Sequence, residues 1–412
     1  MYIVWRYAKL HNMKIVTDKF KIDSILNRGV ITNILPSKED FRKKLLSGDR
    51  IRMYIGVDPT STSLHLSHAK NYLLLEEFRQ LGHQVIVLIG DFTARIGDPS
   101  ERSDARKQLS KDEIQYNVES LLKQIKPLMN FTDTENPPRV CHNAEWLAKL
   151  TFEEVINLAA HFTVQQMLER DMFEKRINNG NPIHLHEFLY PLMQGYDSVA
   201  MDVDAELCGT DQTFNALAGR TLLRKIKNKD KYVVIVNLLE NPATKELMSK
   251  SKGTGVFLDT SASEMYGGIM AQPDEMIEPL LINLTRLSFE AIDEMKKLHP
   301  RDAKMRLAQE IVEMYHGEKS AEHAEENFVQ TFQKREAPSD TIKIITKKGE
   351  LLVDVLLKAK VVTSKTDFRR LIEGGAVTAH KTGEKIIDPA QKVVSGIFKI
   401  GKRRFVAVEV EA

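Results

Sequence analysis

Ile51-Arg52-Met53-Tyr54-Ile55-Gly56-Val57, then Asp58-Pro59-Thr60-Ser61-Thr62-Ser63, then Leu64–Leu81: these three consecutive pieces decide the fold of the chain. The first is a largely apolar run of the kind that fills a buried strand of a parallel sheet. The second supplies turn and N-cap side chains, and the third has helical periodicity stopped by Gly82. Val85–Ile89 follows as a second apolar strand, and Tyr232–Leu239 repeats the pattern much later. Strand, helix and strand in that order imply a right-handed βαβ unit. The first half is therefore expected to be an open α/β sheet that gathers its ligands at the carboxyl ends of the strands.

Working outward, Ile22–Leu46 reads as a helical lead-in. Ser263 to about Gln333 is helical throughout, as in Ala303–Tyr315, without strand-like alternation. Glu336-Ala337-Pro338-Ser339-Asp340 reads as a linker. Beyond it, Leu351–Lys358 and Ser364–Glu373 are short helices, the second capped by Ser364 and stopped by Gly374-Gly375, while Ala376–His380 and Arg404–Val410 alternate as strands. The expected division is an α/β domain over 1–262, a helical domain with linker over 263–340, and a small α+β domain over 341–412.

The 412 residues leave room for two to four domains, and 42% hydrophobic with 28% charged residues is the mix of an ordinary globular protein rather than a disordered one. No apolar run approaches the ~20 residues that cross a bilayer, so no membrane association is expected. Cys141 and Cys208 are too few for a disulfide framework or a Cys-rich zinc site, and a reducing cytoplasm fits them best. The first twelve residues, with Arg6 and Lys9, lack the anatomy of a secretory signal, and Met13 is an alternative start. The formal net charge of +2 hides a division: Lys343–Ala412 carries 15 Lys and Arg against 8 Asp and Glu, and the rest 44 against 49. Clustered positive charge at one end reads as a contact for phosphate backbones or another anionic surface, although a solvated basic face has the same composition.

Two constellations carry chemistry. His65-Leu66-Ser67-His68 opens the helix that follows the first strand, where free backbone N–H groups attract phosphate, and the two histidines project from one face. Glu246-Leu247-Met248-Ser249-Lys250-Ser251, followed by Lys252-Gly253-Thr254-Gly255, is a polar loop whose Lys250 is suited to neutralising polyphosphate charge. Each alone is weak. In this order, about 180 residues apart, they reinforce one another.

Taken with Tyr54-Ile55-Gly56-Val57-Asp58-Pro59-Thr60, Ile96-Gly97-Asp98-Pro99-Ser100, Tyr190…Gln194…Asp197 and Gly209-Thr210-Asp211-Gln212, they make the chain resemble the bacterial-type tyrosyl-tRNA synthetases, a group of class I aminoacyl-tRNA synthetases. The tail resembles that family's C-terminal RNA-binding domain of the ribosomal-protein-S-four type. The resemblance implies a Rossmann-type, doubly wound parallel-sheet catalytic domain, followed by an all-helical domain and a small α+β RNA-binding domain. It implies activation of L-tyrosine by ATP, with Mg2+ accompanying the nucleotide and no dedicated protein metal site, then transfer to the terminal adenosine of tRNA(Tyr) by a cytoplasmic homodimer.

Residue by residue, His65, His68 and Lys250 match signature positions on the pyrophosphate side, and Arg102 and Arg106 match positions that reach the leaving group. Gly56 and Asp58 belong to the nucleotide side, with Gly209 and Asp211 at the ribose. Tyr54 and Asp197 match the partners of the substrate phenol. Asp98, Tyr190 and Gln194 match the holders of its ammonium group, and Gln212 a further polar position near the amino acid. Tyr190, Gln194 and Asp197 fall on one face of an ideal helix, which Pro191 requires to begin or bend there. In the tail, Lys365, Arg369 and Arg370 on one helix and Lys402-Arg403-Arg404 before the last strand are expected to grip folded RNA by its phosphates, the long variable arm of the tRNA by resemblance.

Three positions depart from the family pattern. Ser67 replaces a usual Gly against which adenine lies. Leu247 replaces a Lys, removing one cation from the phosphate site, and Thr213-Phe214 replaces Trp-Gly. Two other readings stay open: a tryptophanyl enzyme, separated by comparing pyrophosphate exchange with the two amino acids, and a non-catalytic RNA-binding descendant, separated by absence of exchange.

Overall fold

A computed structural model describes residues 14–98, 109–168, 171–248, 255–333, 341–380, 382–401 and 404–411. The chain divides into two compact units. The first holds the described residues through Asp259 together with Glu278–Asp293; the second holds Thr260–Ile277 and the described residues from Glu294 onward.

The first unit is built on a six-stranded sheet of β1 (Ile31–Leu35), β2 (Arg52–Val57), β3 (Gln84–Ile89), β4 (Arg139–His142), β5 (Ala205–Gly209) and β6 (Tyr232–Val236). Its spatial order is β1-β6-β5-β2-β3-β4, parallel except for β1, which runs antiparallel to β6. All six residues of β3 are buried, which explains why Val85–Ile89 is a continuous apolar run rather than an alternation. The helix Leu66–Gln80 buries Leu66, Ala69, Tyr72 and Leu73 and stops at Gly82, whose φ of +94° is open to Gly at little steric cost. From β2 the chain winds outward through β3 to β4, then returns to the other side of β2 through β5 and β6. The switch point between β2 and β5 is where an open sheet of this type forms its cleft.

The lead-in differs from expectation. Instead of one helical stretch over Ile22–Leu46 there are two helices, Lys19–Asn27 and Lys38–Leu46, with β1 between them. Gly29, at φ +96°, follows the first helix, and the β-branched run from Val30 pairs with β6, some 200 residues later. That partner is invisible to local periodicity. Arg28 then fixes the segment Glu278–Asp293 to this unit: its buried guanidinium donates to the carbonyls of Ile282, Thr285 and Leu287 at 2.9, 2.7 and 2.9 Å. These acceptors lie at and just beyond the carboxyl end of the helix Ile277–Leu284, where carbonyls lack intrahelical partners.

In the second unit the helices Ala262–Met270, Pro300–His316 and Glu318–Phe328 pack together, with the Tyr266 and Phe328 rings 5.6 Å apart. Its C-terminal part is a four-stranded sheet of β7 (Ile342–Lys347), β8 (Val377–Ala379), β9 (Gly396–Ile400) and β10 (Arg404–Glu411), in the order β7-β10-β9-β8. The helices Leu352–Lys358 and Lys365–Glu373 cover it, with Leu356, Phe368, Ile400 and Val406 in one core. Ser364 caps the second helix by accepting from the Asp367 N–H at 3.0 Å. The expected linker Glu336–Asp340 lies outside the described residues.

Candidate active site

A cavity of about 370 Å³ opens at the switch point of the first unit. Twelve of the residues singled out from the sequence line it: Tyr54, Gly56, Asp58, His65, His68, Asp98, Tyr190, Gln194, Asp197, Gly209, Asp211 and Gln212. They come from β2, the start of the helix Leu66–Gln80, the segment after β3, the helix Tyr190–Met201, and β5 with the turn that follows it. Arg102, Arg106 and Lys250 lie outside the described residues.

The floor is buried and polar. Tyr54 is fully buried, and its hydroxyl lies 3.0 Å from Ser198 Oγ. Asp197, 2% exposed, accepts from Trp146 Nε1 at 2.7 Å and from Asn143 Nδ2 at 3.3 Å. Burial pushes the Asp197 carboxyl well above its ordinary range, against the pull of those two donors, and burial likewise raises the Tyr54 phenol. Beneath them Lys231, 0% exposed, is ion-paired with Glu206 and donates to Ser198 Oγ at 2.8 Å. The other Glu206 oxygen accepts from Gln194 Nε2 at 2.9 Å. One chain of contacts thus joins Tyr54, Ser198, Lys231, Glu206 and Gln194.

Two glycines make room for this chain. A Cβ on Gly219 would fall 2.6 Å from Lys231 Nζ, and one on Gly195 would fall 2.9 Å from Leu222 Cδ1. Both contacts are too short for a real side chain, so the helices Tyr190–Met201 and Thr213–Lys227 cross closely there. Pro191 does begin its helix, as the sequence requires, with Tyr190 in its first turn.

Closer to the mouth, the Tyr190 hydroxyl donates to Asp58 Oδ2 at 2.8 Å, and Thr93 Oγ1 donates to Asp58 Oδ1 at 2.7 Å. Gln212 Nε2 donates to Asp98 Oδ2 at 2.6 Å. His65 occupies the N-cap position of the helix Leu66–Gln80, and its backbone N–H donates to His68 Nδ1 at 3.2 Å. The two rings lie 4.0 Å apart, and His65 Nδ1 is buried without a hydrogen-bond partner. Desolvation lowers His65 to about 4 and His68 to about 3. Both imidazoles are therefore neutral at physiological pH, able to donate or accept a hydrogen bond without adding charge.

Sequence reading missed Ser198, Glu206, Lys231, Asn143 and Trp146. A faint signal existed for two of them, since Glu206 lies within the apolar strand Ala205–Gly209 and Lys231 directly precedes Tyr232–Val236. A charge in a strand buried on both faces needs a partner. Asn143 and Trp146 gave none, because β4 is only four residues long and had no apolar run to mark it.

In the second unit, Lys365, Arg369 and Arg370 are exposed on the helix Lys365–Glu373. Lys365 pairs with Asp354 at 2.8 Å and Arg370 with Asp367 at 3.0 Å. Arg404 is half-buried and donates to the Val361 carbonyl, while Lys402 and Arg403 lie outside the described residues. Among the described residues no group of three or more His, Cys, Asp or Glu is placed to hold a metal ion, and no helix is long and apolar enough to cross a membrane.

A family profile described as tRNA synthetases class I (W and Y) matches residues 46–333. The tyrosine–tRNA ligase of Carboxydothermus hydrogenoformans is 41% identical over 94% of this chain and 97% of its own length. That of Thermotoga maritima is 40% identical over 92% and 95%. Among solved structures, the truncated mitochondrial tyrosyl-tRNA synthetase of Coccidioides posadasii superposes with a TM-score of 0.61 at 25% identity, covering 74% of this chain and 91% of that one. The tryptophanyl-tRNA synthetase of Plasmodium falciparum reaches 0.56 at 14% identity, covering 79% and 93%. The fold alone does not separate the two specificities; the sequence relatives do, and by them this chain belongs to the class I aminoacyl-tRNA synthetases, in their bacterial-type tyrosyl group.

Proposed function

We propose that the chain is a tyrosine–tRNA ligase that converts L-tyrosine and ATP to tyrosyl-adenylate and pyrophosphate, then passes tyrosine to the 3'-terminal adenosine of tRNA(Tyr). The observation that carries this reading is the cavity itself, with a buried Tyr54 and Asp197 at its floor and a helix start bearing His65 and His68 at its mouth. In the first step a tyrosine carboxylate oxygen bonds to the α-phosphorus as the bond to the bridging oxygen of pyrophosphate breaks. The carboxylate is already a nucleophile, so no residue need take a proton, and catalysis rests on positioning and on stabilising charge. In the second step a ribose hydroxyl of the tRNA attacks the tyrosyl carbonyl, the bond to the adenylate phosphate oxygen breaks, and the hydroxyl proton goes to the departing AMP phosphate.

Asp197 and Tyr54 take the phenol. Gln194, its NH2 group engaged by Glu206, is left with a carbonyl oxygen to accept from the substrate ammonium, beside Tyr190 and Asp98. Gln212 lies near the amino acid, and Gly56, Asp58, Gly209 and Asp211 serve the nucleotide. His65 and His68 act as neutral hydrogen-bond donors to the leaving phosphates, which leaves positive charge to Lys250, Arg102 and Arg106. Mg2+ would enter with ATP, held through phosphate oxygens and water. We assign residues 1–262 to catalysis, 263–340 to the helical domain and linker, and 341–412 to RNA binding through Lys365, Arg369, Arg370, Lys402, Arg403 and Arg404. The enzyme works as a cytoplasmic homodimer.

Tyrosine-dependent exchange of labelled pyrophosphate into ATP is the deciding experiment. Exchange supported by tyrosine and not by tryptophan is the expected result. Exchange with tryptophan alone, or none with either, overturns the assignment.

A further inference from the structure

Lys70 lies on the helix Leu66–Gln80, just beyond His68, and with Asn71 lines the cavity. Among the described lining residues it is the one Lys or Arg, against the carboxylates of Asp58, Asp98, Asp197, Glu206 and Asp211. Leu247, which also lines it, contributes an apolar side chain. Lys70 is 2% exposed, yet its ammonium has a single partner, donating to Asn71 Oδ1 at 2.9 Å. An ammonium has three donors, so most of its capacity is unspent, in contrast to the paired and equally buried Lys231.

A buried amine without an ion pair is costly to the fold and is retained where an anion arrives to meet it. The charged and titratable groups acting on Lys70 are Asp211, from the turn after β5, and His68, from its own helix. On the ligase reading, on which this inference rests, His68 faces the pyrophosphate end of ATP and Asp211 the ribose. The group that joins those two parts of the nucleotide is the α-phosphate. We propose that Lys70 is a further nucleotide-binding and catalytic residue, whose ammonium takes a non-bridging oxygen of the α-phosphate in ATP and in the adenylate. It transfers no proton. As the tyrosine oxygen bonds to phosphorus and pyrophosphate leaves, it faces charge that stays on the non-bridging oxygens.

Desolvation lowers Lys70 to about 7, opposed by Asp211. An incoming phosphate favours the charged form, so binding above that pH takes up a proton and affinity falls as pH rises. The test compares AMP with adenosine, which differ only in this phosphate, by calorimetric titration of the full-length wild type and Lys70→Met. Wild type should prefer AMP by roughly tenfold or more, a preference lost in the variant while adenosine binding is unchanged. From about pH 7.5 to 9, where AMP is already a dianion, wild-type affinity for AMP should fall and that of the variant stay flat. A variant that keeps the wild-type AMP-to-adenosine ratio overturns the proposal. If Lys70→Met does not fold, a flat wild-type pH profile overturns it instead. Wild type that prefers AMP but shows no tyrosine-dependent exchange would sink the ligase reading and leave the phosphate site standing.

Discussion

At the floor of the cavity Asp197 accepts from Trp146 and Asn143, and Lys231 is closed against Glu206 and Ser198; at the mouth His65 Nδ1 is buried without a partner and Lys70 has one. The two ends of one cavity handle polar groups in opposite ways. On the proposed function the floor meets a small, uncharged phenol, and its polar groups are already held by one another. Such preorganised partners discriminate sharply, because a ligand without the hydroxyl leaves them unmatched. On the same reading the mouth meets a polyanion, where His65 and Lys70 keep hydrogen-bonding capacity for the ligand to complete. Selectivity is expected to reside in the first region and rate in the second.

The sharpest way to break this contrast is Lys231→Met, which leaves Glu206 buried without its cation. The expected loss is about 3–5 kcal/mol in denaturant unfolding, recovered in large part by the Glu206→Gln, Lys231→Met double variant. A single variant as stable as wild type would show that the floor is not held by this pair. At the mouth, His68→Ala should lower the exchange rate constant roughly 100-fold and leave the tyrosine KM nearly unchanged. A tyrosine KM that moved with the rate would merge the two regions.

Asp197→Asn sharpens the comparison from the floor side. The new NH2 group confronts the donors Trp146 Nε1 and Asn143 Nδ2, so rejection of phenylalanine should weaken by about 10- to 100-fold while the KM for ATP holds. Unaltered selectivity would refute the phenol assignment. The buried histidines make a pH prediction. His65, His68 and His83 stay neutral down to about 4, 3 and 4 in the folded chain, but take up protons near 6.5 when unfolded. The unfolded state therefore binds more protons below pH 6.5, and stability should fall as pH drops from there toward 4. Constant stability across that window, read by thermal melting, would contradict their burial. The smallest effect is expected in the second unit: Arg369→Ala or Arg370→Ala should each reduce the salt dependence of tRNA binding by about one phosphate contact. A slope equal to that of wild type would remove that helix from the RNA surface.

Some of the twelve cavity residues were marked by local signals, and the others only by resemblance to the tyrosyl-tRNA synthetases, such as Tyr54 within β2 and Gln194 and Asp197 within the helix Tyr190–Met201. His65 and His68 follow a run of turn residues, Tyr190 precedes a helix-starting proline, and Gly209 ends an apolar strand. Continuous apolar runs likewise announced β2, β3 and β6, since a strand buried on both faces leaves no polar position to blur it. Hydrophobic period and capping chemistry act over a few residues, and a single chain displays them directly. What tertiary structure alone decided is which distant groups meet: β1 against β6, Arg28 on the segment Glu278–Asp293, and Lys231 on Glu206. Those pairings are set by burial, because desolvation turns a tolerable surface charge into one that must find a partner, and burial depends on how the whole sheet is assembled.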